Sequence, residues 1–363
     1  MIEKIRIQNF KNFQDTTIEG FKRINLFAGL NNSGKSNLLE AIALSLANHS
    51  QIFLLLKALR LGPDLKIDSP EFFFDDFFFN WDKTNKIIIE TESQTLTQHE
   101  KLLVEINYEN NKNIIQQTQT IQTDLFEEHI LKYQTKNQNG NILQDFLIKI
   151  NNQGKVETPS YITYALPLTY FHSATLPKSQ NFYNDLTKLF STTYNTGNLN
   201  YFFKALQVID PNIEDARVVT LNGNNLYLQK KNQKQPIPLY TQGDAILKIT
   251  DLILRILGQG VKILLIDEIE NGLHYTVQKD FWKMLLKIAK EFDVQIFATT
   301  HSMEMIQAFA ELEEEEEKEE DVIYFELIKN QSGQIIAIDR EPNLVYSENF
   351  IEAMKEQHIR GER

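Results

Sequence analysis

One stretch near the amino terminus restricts the possible folds more than any other part of the chain. It consists of a short apolar run, a loop with the pattern G-x-x-x-x-G-K-S, and the start of an apolar helix. Glycine permits backbone angles that a side chain would forbid, so successive N–H groups of such a loop can point at one phosphate. The N-terminus of the following helix adds further N–H donors. The residues predicted to bind a nucleotide are Gly29, Asn31, Asn32, Ser33, Gly34, Lys35, Ser36 and Asn37.

Two side chains of this P-loop carry specific chemistry. Lys35 would reach the β- and γ-phosphates, and the hydroxyl of Ser36 would be a ligand of Mg²⁺. A glycine-rich turn can match the pattern by chance. Here an apolar strand precedes the loop and an apolar helix follows it, which is the context that a nucleoside triphosphate site requires.

A second apolar strand, at about 262–266, ends in the carboxylates of Asp267 and Glu268. In a P-loop enzyme Asp267 would hold Mg²⁺ through its water shell. Glu268 would orient or deprotonate the water that attacks the γ-phosphate. Many buried strands end in an acid, so this pattern indicates a nucleotide site only in combination with the P-loop upstream.

A third strand, predicted at 294–298, is followed closely by His301. Parallel α/β sheets bind ligands beyond the carboxyl ends of their strands, so we predict that His301 senses the γ-phosphate. A purely structural histidine is the alternative. His274 stands at a predicted helix start, where a capping or subunit-contact role is favoured.

Between these motifs the sequence changes to short runs rich in Ile, Thr, Gln and Asn, separated by turn signals. The runs predict an antiparallel meander at 86–92, 101–108, 113–119, 130–135 and 142–150, followed by helices and a hairpin up to about 230. The phenylalanine-rich segment 72–79 favours burial in the core or at a protein interface over stacking on nucleic-acid bases, because two aspartates lie within it.

Charge and cysteine content limit the functional classes. The chain has 37 basic and 49 acidic residues, and nine of the acids lie in the run 311–321. The rest of the chain is only mildly acidic, so nucleic-acid binding is possible but has no support from charge. The absence of cysteine excludes disulfides, thiol catalysis and Cys-ligated zinc. With no signal peptide and no apolar span, we expect a cytoplasmic protein without a membrane partner.

Together these motifs resemble the ATP-binding-cassette (ABC) ATPases of the SMC, RecF and OLD groups, and OLD-like bacterial AAA ATPases most closely. The resemblance is specific over about 1–48 and 236–310, and it rests on residues 5–13, 37–42, 267–274 and 299–302. It implies an α/β fold: a P-loop NTPase with an ABC-type head whose mainly parallel sheet is joined by an N-terminal antiparallel β subdomain. We therefore expect a discontinuous head at 1–92 and 240–363, an inserted β-meander and helical region at 93–239, and a mobile acidic segment at 311–321.

The resemblance also implies that two heads face each other as a homodimer, or within a higher homo-oligomer, with two ATP molecules between them. Each ATP would be closed by a signature loop of the opposite head. The corresponding segment here is 240–244, in which Thr241 keeps a hydroxyl and Gly243 keeps a close backbone approach. Gln242 and Asp244 depart from the family pattern, and Asp244 would add negative charge near a γ-phosphate. No residue of this sequence is assigned to the family's glutamine loop.

The expected function is Mg²⁺-dependent ATP hydrolysis that regulates a separately encoded effector, a nuclease or a toxin, in bacterial antiphage defence. Only about 60 residues follow His301, too few for the TOPRIM nuclease domain of the larger OLD nucleases. A RecF-like DNA-binding repair ATPase is one alternative, and a non-catalytic scaffold that holds ATP is another. The choice of ATP over GTP rests on the resemblance, because no base-reading motif is visible.

Overall fold

The computed structural model describes residues 1–47, 49–61, 67–94, 99–115, 124–157, 169–172, 179–220, 223–315 and 321–340. These fall into two compact units. The first comprises Met1–Phe21, Asn32–Ala165 and Leu327–Ala337, and the second comprises Lys22–Asn31, Leu166–Glu326 and Ile338–Arg363.

Sixteen strands lie in the described residues. They are β1 (Ile2–Phe10), β2 (Phe13–Glu19), β3 (Ile24–Ala28), β4 (Ile87–Gln94), β5 (His99–Ile115), β6 (Asp124–Asn137), β7 (Ile142–Asn151), β8 (Val156–Glu157), β9 (Thr169–His172), β10 (Ile213–Thr220), β11 (Asn224–Lys230), β12 (Ile237–Pro238), β13 (Ile263–Ile266), β14 (Gln295–Thr299), β15 (Val322–Lys329) and β16 (Ile335–Asp339).

Seven α-helices lie in the same residues. They are α1 (Lys35–Ser45), α2 (Gln51–Leu61), α3 (Gln180–Asn195), α4 (Leu199–Gln207), α5 (Asp244–Leu254), α6 (Tyr275–Glu291) and α7 (Met303–Glu315).

The first unit contains a seven-stranded antiparallel sheet in the order β2-β1-β4-β5-β6-β7-β8. In β1 the side chains of Ile5 and Ile7 are buried, while Lys4 and Arg6 alternate with them toward solvent. This period of two is what a half-buried strand requires. The amino-terminal hairpin of β1 and β2 and the expected meander are thus parts of one sheet.

The expected domain boundary between residues 92 and 93 falls inside a strand. β4 runs to Gln94 and pairs with β1 on one side and with β5 on the other. A continuous ladder of backbone hydrogen bonds therefore joins the amino-terminal hairpin to the meander. Residues 113–115, expected to begin a separate strand, are the end of the 17-residue β5.

Helix α1 packs against β1, β4 and β5 within the first unit. The hydroxyl of Tyr133 on β6 donates to the carbonyl oxygen of Leu44 over 2.8 Å, which satisfies a group at the helix C-terminus. The phenylalanine-rich segment supplies core side chains, as expected: Phe74, Phe77 and Phe78 are almost fully buried. Phe72 of the same segment is exposed.

One sheet of the second unit contains strands in the order β15-β3-β14-β13-β9. Four of its neighbouring pairs are parallel, namely β9 with β13, β13 with β14, β14 with β3, and β3 with β15. All five residues of β3 and all five of β14 are buried. Such continuous burial is typical of parallel strands that are covered on both faces. The expected mainly parallel α/β sheet is confirmed.

Helices α5, α6 and α7 contribute to the hydrophobic core that contains this sheet. Trp282 on α6 is fully buried, and its indole N–H donates to the carbonyl oxygen of Met305 over 3.3 Å. Glu311–Glu315 of the acidic run form the last turn of α7. The sequence also predicts a helix at about 347–357, which lies outside the described residues. In the part of the chain that the structure describes, no helix combines the length and apolar character needed to span a bilayer.

Candidate functional site

The P-loop connects β3 to α1. Three of its residues have left-handed or related backbone angles: φ is 141° at Gly29, 62° at Asn32 and 96° at Gly34. Gly34 is the N-cap of α1 and makes no side-chain cap hydrogen bond to the helix. Lys35 is buried, and its Nζ lies 3.4 Å from the hydroxyl oxygen of Ser33.

Gly34 also has no space for a side chain. A Cβ atom there would lie 2.9 Å from Cδ1 of Ile335 and 3.0 Å from Nδ2 of Asn12, at a φ angle that L-residues rarely adopt. The backbone conformation therefore favours glycine here, and a side chain would also displace the ends of the Ile335 and Asn12 side chains.

The parallel sheet of the second unit places four residues beyond the carboxyl ends of neighbouring strands: Gly29, Asp267, Glu268 and His301. β14 pairs with β3 on one side and with β13 on the other, and each of these residues follows the carboxyl end of one of the three strands. Ligands of open α/β sheets bind beyond the carboxyl ends of the strands.

Thr299, the last residue of β14, holds the two acids in place. Its hydroxyl donates to Oδ1 of Asp267 over 2.6 Å and accepts the backbone N–H of Glu268 over 2.9 Å. Its backbone carbonyl accepts the N–H of Ile269 over 2.9 Å. One threonine thus fixes both the orientation of the Asp267 carboxylate and the path of the chain beyond it.

Glu268 has a left-handed backbone, with φ of 50°. A non-glycine residue in this region stores conformational strain, and such strain is concentrated at functional sites. The conformation is held by Thr299 and by Asn271, whose Nδ2 donates to Oε2 of Glu268 over 2.7 Å and whose N–H donates to the Glu268 carbonyl over 3.0 Å. The side chain of Glu268 is partly buried rather than enclosed.

His301 is connected to the acid-containing segment through Glu270. Oε1 of Glu270 accepts the backbone N–H of His301 over 2.7 Å. Oε2 of Glu270 is buried and has no hydrogen-bond partner among the described residues. The His301 side chain itself is exposed at the strand edge.

Lys248, on α5, lies under the same segment. Its Nζ donates to the carbonyl oxygens of Glu268 (3.3 Å), Ile269 (2.8 Å) and Asn271 (3.1 Å). Burial in the protein, partly offset by the charges of Glu270 and Glu268, lowers the pKa of the Lys248 ammonium to about 8.

The segment matched to the signature loop, 240–244, precedes and begins α5. Gly243 is the exposed N-cap of this helix, and Thr241 is exposed with its hydroxyl donating to the Pro238 carbonyl over 2.8 Å. Asp244 packs against the turn after Glu268: a Cβ on Gly272 would lie 3.3 Å from Cβ of Asp244. His274 caps α6, because its Nδ1 accepts the N–H of Thr276, in agreement with the capping role favoured above.

Four residues of this network were not identified from the sequence: Lys248, Glu270, Asn271 and Thr299. Glu270, Asn271 and Thr299 lie inside the stretches that carry the family resemblance. Their closeness in sequence to Asp267 or His301 could have identified them. For Lys248 the signal was a charged residue between the apolar residues Leu247 and Ile249 of α5.

The fold is that of a P-loop ATPase. A family model described as "AAA domain, putative AbiEii toxin, Type IV TA system" matches residues 24–306. An ATP/GTP phosphatase of Helicobacter pylori is 30% identical over 338 residues, which cover 85% of this chain and 87% of that relative. The chain therefore belongs to this family of AAA-domain proteins.

Two further similarities are narrower or more distant. The DNA replication and repair protein RecF of Cytophaga hutchinsonii is 56% identical over 41 residues, which are 11% of each chain. The SMC head domain of Thermotoga maritima superposes with a TM-score of 0.47 at 12% identity, covering 94% of this chain and 99% of that domain.

Proposed function

We propose that this ATPase is Mg²⁺-dependent and that Glu268 activates the attacking water. The proposal rests on two hydrogen bonds that join the Thr299 hydroxyl to the Asp267 carboxylate and to the backbone N–H of Glu268. These bonds hold both residues at the carboxyl end of β13, where parallel sheets bind ligands. A water held by Glu268 would attack the γ-phosphate in line with the leaving oxygen. Lys35 and the N–H groups of Gly29, Asn31, Asn32, Ser33, Gly34 and Asn37 would bind the phosphates.

The donor set fits a magnesium ion. Mg²⁺ prefers oxygen ligands and in such sites is held by one or two protein groups together with substrate phosphates. The Asp267 carboxylate and the Ser36 hydroxyl are oxygen donors of this kind, and the Thr299 bond fixes the carboxylate before any ion binds. When bound, the ion would neutralise the charge that develops on the phosphates. His301 would contact the γ-phosphate at the end of the neighbouring strand.

The substrate is a purine nucleoside triphosphate. The Helicobacter pylori relative is named as acting on both ATP and GTP, and we extend this to the present chain, with ATP as the principal substrate.

The finer part of the proposal is that two copies associate head to head on ATP. Thr241 and Gly243 are exposed at the start of α5, where they would contact a nucleotide bound to the second copy. Hydrolysis would then release this dimer and regulate a separately encoded effector, a nuclease or a toxin, in antiphage defence. The support for the effector is the sequence resemblance together with the toxin-system description of the family model.

The test combines phosphate release with mass determination by light scattering, without nucleotide, with ATP·Mg²⁺ and with ADP. Lys35→Ala is expected to lose both nucleotide binding and turnover. Glu268→Gln is expected to lose turnover by about 100-fold or more and to retain an ATP-dependent larger species. Glu214→Gln, at an exposed glutamate of β10, is the matched control. Unchanged turnover in Glu268→Gln would contradict the role given to that residue.

Partner binding is tested with the same variants. Glu268→Gln and Lys35→Ala are used as baits in the cell of origin, and the proposal expects one protein to be retained by the first variant only. Absence of any nucleotide-dependent partner would contradict effector regulation. ATP-dependent binding to duplex DNA would instead favour the RecF-like alternative, and ATP binding without turnover would favour a scaffold.

A further inference from the structure

Glu270 connects two chain segments of the second unit, the one that follows β13 and the one that follows β14. Oε1 of its carboxylate accepts the backbone N–H of His301 over 2.7 Å. The two residues are 31 positions apart in the sequence, so this bond is a tertiary contact and not part of a local turn. It holds the peptide group from which the exposed His301 side chain projects.

The backbone on both sides of His301 is held as well. The N–H of Thr300 donates to the carbonyl oxygen of Phe27 on β3 over 3.0 Å. The N–H of Ser302 donates to the hydroxyl of the buried Thr300, also over 3.0 Å. The bond to Glu270 lies between these two contacts. It therefore completes the set of backbone bonds that orients His301 at the carboxyl end of β14.

Glu270 is also the acidic neighbour of a buried cation. Burial lowers the pKa of the Lys248 ammonium, and the negative charge of Glu270 opposes this shift more than that of Glu268 does. A carboxylate close to a cation is favoured in its ionised form. Hydrogen bonds to an ionised acceptor are stronger than those between neutral groups. The Glu270 carboxylate is therefore a strong acceptor for the N–H of His301.

The surroundings of Glu270 are not arranged for stability alone. Its Oε2 atom is buried and has no hydrogen-bond partner among the described residues. Two positions earlier, Glu268 has a left-handed backbone with φ of 50°. Both features cost free energy of folding, and such costs are concentrated at functional sites. This favours a role for Glu270 in the reaction over a role in the fold alone.

We propose that Glu270 is a positioning residue through which the site distinguishes a nucleoside triphosphate from a diphosphate. Glu270 acts through His301: by holding the backbone N–H, it places the imidazole where the γ-phosphate lies. This inference rests on the proposed function, because it assumes that His301 contacts the γ-phosphate. ADP lacks this phosphate, so its affinity does not depend on Glu270. Loss of the bond therefore weakens triphosphate binding selectively.

The test measures two dissociation constants by calorimetry, that of ADP and that of the β,γ-imido analogue of ATP, each with Mg²⁺. The ratio of the ADP constant to the analogue constant reports the contribution of the γ-phosphate. A variant that only loosens the fold weakens both ligands and leaves this ratio unchanged. His301→Ala is expected to lower the ratio about tenfold, because one hydrogen bond to a charged group is lost.

Variants of Glu270 then examine the positioning role. Glu270→Ala removes the acceptor and is expected to lower the ratio about fivefold or more, with the ADP constant unchanged. Glu270→Gln keeps an acceptor oxygen and is expected to retain most of the ratio. Glu270→Asp takes the place of the alanine variant if that variant does not fold. It withdraws the carboxylate from His301 by one methylene, so the ratio is expected to fall in the same direction.

Glu304→Gln is the matched control for the loss of a charge near His301. Glu304 is an exposed acid three residues after His301, and its carboxylate accepts the Ser302 hydroxyl over 2.8 Å instead of the His301 N–H. The ratio is expected to stay at the value of the unmodified protein.

A double variant shows whether Glu270 acts through His301. Adding Glu270→Ala to His301→Ala is expected to leave the ratio at the value of His301→Ala, because no imidazole remains to be positioned. Two results would overturn the inference and leave the proposed function intact: an unchanged ratio in Glu270→Ala or its aspartate substitute, or a further fall in the double variant. An unchanged ratio in His301→Ala would contradict the γ-phosphate contact itself, and the inference would fail with it.

Discussion

Nζ of Lys248 donates to the backbone carbonyl oxygen of Ile269 over 2.8 Å, from the middle of the helix that the signature segment begins. The same ammonium group donates to the carbonyl oxygens of Glu268 and Asn271. Three carbonyls converging on one buried cation form a rigid support for a turn that is otherwise strained at Glu268. α5 and the segment that contains Glu268 are thereby connected through one side chain.

Replacing Lys248 by Met keeps most of its volume and removes all three donors. We expect kcat for phosphate release to fall about tenfold, because Glu268 loses its positioning, while KM for ATP changes little. Lys248→Arg retains a cation and should recover part of the rate. A higher KM together with lower thermal stability, but no specific effect on kcat, would show that Lys248 only supports the fold.

The lowered pKa of Lys248 makes stability depend on pH. The folded pKa is about 8, against 10.5 for an unperturbed lysine, so between these values the unfolded chain binds more protons. This contribution therefore destabilises the folded state at neutral pH, and the destabilisation disappears as pH rises through that window. We expect the free energy of unfolding of the unmodified protein, relative to Lys248→Met, to increase by about 2 kcal/mol from pH 8 to pH 10.

Urea unfolding of the two proteins at each pH provides the measurement. The difference between the two proteins removes the titrations that both share. One of these is Tyr108, whose pKa is raised to about 12 by burial and nearby acids. Its titration lowers the free energy of unfolding as pH rises, which is opposite to the effect of Lys248. A difference that stays constant over the window would show that the ammonium is not desolvated in the folded state.

Thr299→Val removes a hydroxyl and preserves the shape of the side chain. The Asp267 carboxylate loses a donor, and the N–H of Glu268 loses its acceptor. We expect kcat to fall about 10- to 100-fold and the Mg²⁺ concentration for half-maximal phosphate release to rise, with about 1–2 kcal/mol lost from the free energy of unfolding. Thr299→Ser keeps the hydroxyl and should remain close to the unmodified enzyme. An unchanged Mg²⁺ requirement in the valine variant would remove Asp267 from the proposed metal site.

The parts of the fold that could be predicted from the sequence depend on local patterns. Three features can each be predicted from a few consecutive residues: the P-loop, the apolar β13 before Asp267, and the alternation in β1. Lys248 could not be predicted in the same way, because its acceptors are backbone carbonyls about twenty residues away, and any residue type supplies a carbonyl. The boundary expected at residue 92 lies inside β4 for a related reason: the pairing of β4 with β5 depends on strand order in the sheet, which composition does not encode.

Gly34→Ala tests whether the P-loop tolerates any side chain at its second glycine. The new Cβ would lie 2.9 Å from Cδ1 of Ile335, at φ of 96°. We expect a loss of about 2–4 kcal/mol in the free energy of unfolding, because overpacking adds to the left-handed backbone cost, and we expect ATP binding to be abolished. Gly140→Ala is the matched control: φ is 77° there and no atom lies within 4 Å of the new Cβ, so only the backbone cost of about 1 kcal/mol remains. Equal losses in the two variants, measured by urea unfolding, would show that Ile335 and Asn12 yield to the methyl group and that backbone conformation alone requires glycine at this position.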